Sequence, residues 1–126
     1  MSWESYVQEQ LVATKMVTQA VICGHDGNIW AQSLGFAVTA AELKTLASMY
    51  GSAEMLAQNG IVIAGTKYMY ISSTDRVVRA KKGKGGIHCM KTTQAIILSV
   101  YETPVIPEQA ASVTEKLGDY LISVGY

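Results

Sequence analysis

Apolar residues recur at helical spacing from the start of the chain. Trp3, Val7 and Leu11 fall at i, i+4 and i+8, and Tyr6 lies three residues after Trp3 on the adjoining strip. Ser2 is placed to cap this helix, with Glu4 in its first turn. The period then shortens. Thr18 to Cys23 is apolar and β-branched, Gly24-His25-Asp26-Gly27-Asn28 is dense in turn formers, and Ile29 to Gln32 resumes an extended pattern, so a hairpin is predicted. Thr39 and Glu42 form a T-x-x-E capping box that opens a helix to about Met49. Gly51 interrupts it, Ser52 to Gln58 forms a second short helix, and Asn59-Gly60 closes that one.

From Ile61 the pattern is that of strands: Ile61–Ala64, Lys67–Ser73, Arg76–Lys81, Gly86–Met90 and Gln94–Tyr101, separated by short turn-like breaks. Parallel strands need long crossovers, so breaks this short predict an antiparallel meander. Pro107 suits the first turn of a last helix, whose stripe is Ala110, Val113, Leu117, Leu121 and Val124. Helix, hairpin, two helices, meander, helix is an α+β order, an antiparallel sheet with helices covering it. Without repeats, linkers or low-complexity stretches, the 126 residues read as one domain, 1–126.

Composition narrows the function classes. Ten basic residues balance ten acidic ones, so no whole-surface attraction to nucleic acid is implied. The N-terminal stretch MSWESYVQEQ has acids and no apolar core, unlike a signal peptide, and the longest apolar runs fall far short of the ~20 residues that span a bilayer. A soluble cytoplasmic protein is expected. Cys23 and Cys89 lie in no CxxC or Cys/His cluster and read as reduced, buried thiols, with no cofactor or metal implied.

Catalytic patterns are weak. His25 falls in a polar turn and His88 in a strand, neither beside a recognisable nucleophile, and Asp26 and Asp75 are turn residues. Lys81-Lys82-Gly83-Lys84-Gly85-Gly86 lacks the GxxxxGK[ST] pattern and lies between strands, so it reads as a hairpin and not as a phosphate loop. A non-enzymatic binding protein is expected. Two features stand out. Trp3, Tyr6, Tyr120 and Tyr126, four of ten aromatics, sit at the chain ends, where residues are usually polar. The core stripes are filled without them, so they read as rings for a surface formed by the two terminal helices. Arg76, Arg79, Lys81, Lys82, Lys84 and Lys91 are six of the ten basic residues, and no acid falls between Arg76 and Tyr101. That clustering suits either an anion-docking edge or an edge strand guarded by lysines.

These residues carry a resemblance. Ser2, Trp3, Tyr6 and Val7, the run Asp26 to Ala31 (DGNIWA), the basic segment Asp75 to Ile87 and the end from Glu115 (EKLGDYLISVGY) together resemble the profilin family, in its compact, short-looped form seen in plants and protists. The resemblance covers the whole chain in the right order. It implies a central antiparallel sheet sandwiched by helices, with the N- and C-terminal helices side by side on one face. It implies three partners: monomeric actin, proline-rich proteins such as formin-type assembly factors, and phosphoinositides. Carried over residue by residue, it implies that Trp3, Tyr6, Trp30, Tyr120, Leu121 and Tyr126 bind proline-rich segments. It implies actin contacts at Arg76, Lys81, Lys82, Lys91, Val105, Glu108, Ala111 and Ser112, and phosphoinositide contacts at Arg79, Lys81, Lys82, Lys84 and Lys91.

Two rivals use the same residues differently. A small ligand-sensing or scaffold α+β domain would need a cavity and no exposed Trp3. An RNA-binding sheet would stack bases on Tyr68 and Tyr70, which share a strand face beside the basic hairpin.

Overall fold

The structure, a computed structural model, describes residues 2–126. The Ser2 hydroxyl accepts the Ser5 N–H at 3.1 Å and starts α1 (Trp3–Ser5). The helical path continues without a break as a π-helical stretch, Tyr6–Leu11, and a 3-10 turn, Val12–Thr14, and it stops at Lys15, whose φ is 66°. The sequence predicts one helical stripe here. Val7 and Leu11 are buried as expected, but the π winding widens the turn that carries Tyr6.

The predicted elements then appear in order. Strands β1 (Gln19–Gly24) and β2 (Ile29–Gln32) form the hairpin. Helix α2 (Ala40–Met49) opens on the Thr39–Glu42 capping box, and α3 (Ala53–Asn59) ends at Gly60, whose φ is 67°. Strands β3 (Ile61–Ile63), β4 (Thr66–Ser73), β5 (Val77–Lys82), β6 (Gly85–Lys91) and β7 (Ala95–Tyr101) make the meander. Helix α4 (Pro107–Ser123) has Pro107 at its first position. The seven strands form one sheet in the order β2-β1-β7-β6-β5-β4-β3, antiparallel throughout. The one non-sequential neighbour pair is β1 with β7, which joins the hairpin to the meander.

Strand alternation divides the core into two layers. Val21, Cys23, Val78, Ala80, Ile87, Cys89, Ile96 and Leu98 face α2 and α3. Ala20, Ile22, Ala31, Ala95 and Ile97 face the N-terminal helical segment and α4, where Val7, Leu11, Leu117 and Leu121 cover them. The two terminal helical segments are thus brought side by side on one face. Tyr68 and Tyr70 face the α2–α3 layer, where Tyr68 is buried and the Tyr70 hydroxyl bonds to Ser73 at 2.9 Å. Their rings are spent on the core, which removes the stacking platform an RNA-binding sheet needs.

The stripe of α4 differs from expectation at one end. Val124 lies past the helix and is exposed, whereas Thr114 and Gly118 are buried. Gly118 lets the helix close onto Met90, whose sulfur occupies the space a side chain would need. Thr114 satisfies its hydroxyl within the layer, 2.7 Å from both the Ala110 carbonyl and Ser99 Oγ.

Candidate functional site

The terminal aromatics assemble into one surface. Trp3 lies 4.7 Å from Trp30, 5.5 Å from Tyr6 and 5.1 Å from Tyr126, ring centre to ring centre, the last at a 90° edge-on angle. Tyr6 stands 6.1 Å from Tyr120. These spacings fall within the range of favourable aromatic contacts. Tyr120 and Tyr126 are exposed, and Trp3, Tyr6 and Trp30 are half-buried, so each ring keeps a free side. The Tyr6 phenol is pushed above its ordinary pKa, first by interaction with the Tyr120 hydroxyl and then by burial. The Tyr6 phenol therefore stays neutral near pH 7 and can donate a hydrogen bond.

Trp30 reaches this surface through an irregularity in the hairpin. Ala31 pairs with Ile22 and Ile29 with Cys23, so Trp30 is the extra residue of a β-bulge. The bulge breaks the alternation, and Trp30 and Ala31 both turn toward the terminal helices. Gly24 leaves room for the indole, since a Cβ there would stand 3.3 Å from Trp30 Nε1. Leu121 departs from expectation. It has no exposed surface, so it cannot touch a ligand and serves as the floor beneath the rings.

The basic residues do not gather in the same way. Strands β5 and β6 are joined by a two-residue turn with Gly83 first, at φ 59°, as a type II′ hairpin requires, which leaves no phosphate loop. Lys81, Lys82 and Lys84 cluster at this tip and are exposed. Lys91 is at the far end of β6, about 20 Å away at ~3.4 Å per residue. It shares the strand face of Ile87 and Cys89, its Nζ lies 5.8 Å over the Tyr50 ring, and it borders an open hollow with Arg76. Lys91 therefore belongs to neither the hairpin tip nor the sheet face that bears Arg79 and Lys81.

That face is partly open, because α4 packs on β6 and β7 and leaves β4 and β5 uncovered. Met69 stands opposite Lys81 in the sheet, and Ile71 is the extra residue of a bulge; the two are 67% and 49% exposed. Beside them a hollow of about 480 Å³ is rimmed by Arg76, Arg79, Glu115 and Asp119. Arg76 Nη2 approaches Asp119 Oδ1 at 3.8 Å, a loose surface pair. Glu108 and Ser112 are exposed, and Val105 and Ala111 half-buried, at the start of α4 and just before it.

Under the hollow lies His88, 2% exposed, in register with Arg79 on one side and Ser99 on the other. Its Nε2 comes within 2.8 Å of Glu115 Oε2, yet outside hydrogen-bonding alignment, so the contact is electrostatic. Burial lowers the imidazole pKa most, Glu115 raises it and Arg79 lowers it again; the net direction is down. His88 is thus neutral near pH 7. The thiols are inert. Burial, with Asp26 nearby, pushes Cys23 up to about 12, and burial also raises Cys89. Among the described residues no cluster of His, Cys, Asp and Glu is arranged to hold a metal ion. Among the same described residues, no helix is long and apolar enough to cross a membrane.

The sequence matches the family described as Profilin over residues 1–126. The chain belongs to the profilin family. It is 62% identical to the profilin of Drosophila melanogaster over 126 residues, covering 100% of both chains. The solved structure of Acanthamoeba castellanii profilin II matches with a TM-score of 0.96 at 48% identity, over 99% of this chain and 100% of that one. Mouse profilin IIa, solved in complex with a double repeat from the FH1 domain of mDia1, shares the fold at a TM-score of 0.82 and 16% identity, over 100% of both chains. Relatives aligned over their whole length thus include an insect profilin as well as an amoeboid one.

Within this profilin, four residues escaped the sequence reading: Met69 and Ile71 of the open face, and Glu115 and Asp119 on the rim of the hollow beside it. A signal for the first two was present. Tyr68-Met69-Tyr70-Ile71 is apolar at every position, which suits a strand covered on both faces, and here the second face has no cover of its own.

Proposed function

We propose that this profilin holds an actin monomer on one face and a proline-rich segment of an assembly factor on another, and so regulates filament growth. The observation that carries the reading is the spatial separation of two unlike surfaces on one rigid sheet. The aromatic surface lies between the terminal helical segments, and the open face of β4 and β5 lies beyond α4.

The aromatic surface suits a polyproline II helix. Such a ligand is stiff before binding, lacks internal hydrogen bonds, and offers flat pyrrolidine rings and free carbonyls. Trp3, Tyr6, Trp30, Tyr120 and Tyr126 supply ring faces for the first and indole N–H and phenol O–H donors for the second. The open face combines exposed Met69 and Ile71 with Arg76, Lys81, Glu108 and Ser112 near its edges, an apolar centre with a charged rim as in protein–protein interfaces. Lys82, Val105 and Ala111 extend its border.

Lys81, Lys82 and Lys84 at the hairpin tip, with Arg79 behind them, supply the cations for a phosphoinositide headgroup, at roughly 1 kcal/mol each near an anionic surface. Lys81 would serve both actin and lipid, so the two partners compete. The protein acts by binding and makes or breaks no bond, in the cytoplasm and at the cytoskeleton. Joining two sites on one domain raises the local concentration of monomer at an assembly factor.

Sedimentation velocity of the profilin with monomeric actin and a fluorescent proline-rich peptide tests the reading. A single species carrying all three components is expected. Mutually exclusive binding would overturn the two-face arrangement.

A further inference from the structure

Tyr126 lies beyond α4, so its ring stands against Trp3 only if the tail that follows the helix is held in place. After Ser123 the chain reverses at Gly125, with φ 98°, and the Tyr126 N–H returns to the Leu121 carbonyl at 2.8 Å. The rest of its anchoring comes from the turn between β6 and β7. The Thr92 hydroxyl donates to the Tyr126 backbone oxygen at 2.7 Å, the Gln94 N–H donates to that same oxygen, and the Gln94 side-chain amide donates to the Gly125 carbonyl at 2.8 Å.

We propose that Thr92 is a positioning residue for the proline-rich-segment site: its hydroxyl latches the tail so that Tyr126 stands edge-on to Trp3 before ligand arrives. The inference rests on the reading of the aromatic surface given above.

Three features of Thr92 support a latch. It is 5% exposed and lies under the tail, away from the free sides of the rings, so it acts through Tyr126 and not on ligand. Its own position is fixed, because its oxygen accepts the Ala95 N–H at 3.0 Å and its carbonyl is 3.0 Å from His25 Nε2. Its proton is directed at the tail, since a hydroxyl has one hydrogen and the Ala95 carbonyl, at 3.3 Å, is the poorer acceptor. A preset ring spares the ligand the cost of ordering a tyrosine.

The test is oligoproline affinity, read by tryptophan fluorescence with decaproline as the probe. It is measured for wild type, Thr92→Val, Thr92→Ser, Tyr126→Ala and Thr92→Val/Tyr126→Ala. Loss of one hydrogen bond predicts roughly a fivefold weaker affinity for Thr92→Val. Thr92→Ser restores it. In the Tyr126→Ala background, Thr92→Val has no further effect, because the ring it positions is gone. Affinity for monomeric actin stays at the wild-type value in both single Thr92 variants. If Thr92→Val does not fold, Gln94→Ala, which removes one exposed amide from the same latch, is expected to weaken decaproline about twofold. A folded Thr92→Val that binds decaproline like wild type would overturn the latch. So would an equal loss with and without Tyr126. Absence of decaproline binding by the wild type would instead defeat the reading of the aromatic surface, and with it the latch.

Discussion

At the terminal helices, Trp3, Tyr6, Trp30, Tyr120 and Tyr126 form an unbroken chain of ring contacts, none longer than 6.1 Å from centre to centre. On the β5–β6 hairpin, by contrast, six cations that are close in sequence lie on both faces and at both ends, and Lys91 is about 20 Å from the tip lysines at ~3.4 Å per residue. The two regions solve different recognition problems. A stiff apolar ligand rewards a contiguous surface prepared in advance, because ring-to-ring contact falls off within a few ångströms. A multivalent anion responds to summed charge over about a Debye length, some 8 Å at physiological salt, so an exposed tip of three lysines is enough. The aromatic region is accordingly supported by buried packing, Leu121 beneath and a bulge at Trp30, while the hairpin tip is an exposed turn.

The contrast can be strained from either side. The largest effect should follow from removing the aromatic floor. Leu121→Ala empties a fully buried position and should cost about 2–5 kcal/mol in urea unfolding, with weaker decaproline binding by the folded fraction. An unchanged affinity would mean that the rings do not depend on their support. Next in size is charge reversal at the tip. Lys81→Glu/Lys82→Glu/Lys84→Glu should weaken binding to phosphoinositide vesicles by at least tenfold, at roughly 1 kcal/mol per lysine, and Lys91→Glu by much less. Equal losses would show that the hairpin acts as one patch after all.

His88 provides a smaller, pH-dependent effect. Its pKa is lowered in the folded protein, so below its ordinary value of about 6.5 the unfolded chain takes up the proton first and native stability falls. The urea midpoint should therefore drop between pH 7 and pH 5.5, and the drop should be shallower in His88→Gln. Smallest of all is Arg76→Ala. The 3.8 Å pair with Asp119 is exposed on both sides, so stability should change by less than about 1 kcal/mol. A larger change would promote that hollow from open surface to structural element.

Much of this molecule could be read from residue order. The Thr39–Glu42 box, Pro107 at a helix start, Gly60 at a helix end and the alternating strands all use local chemistry, and each appears where its signal lies. What escaped depends on register between distant segments. No local pattern marks Trp30 as a bulge residue or pairs β1 with β7. The same holds for Leu121, whose helical stripe is visible in sequence but whose complete burial depends on the N-terminal segment packed against α4. The terminal aromatics were conspicuous because chain ends seldom carry rings, and the family resemblance gave them a role. That they touch one another is a property of the fold.

Intrinsic tryptophan fluorescence during titration with decaproline, for wild type and Trp3→Ala, tests the separation of the two surfaces most directly. A saturable change is expected in wild type, weakened at least tenfold in a folded Trp3→Ala protein, since a central aromatic anchor typically contributes about 2 kcal/mol or more. Monomeric actin should bind both proteins alike. Wild-type affinity for decaproline in folded Trp3→Ala would contradict the account, and so would a parallel loss of actin binding.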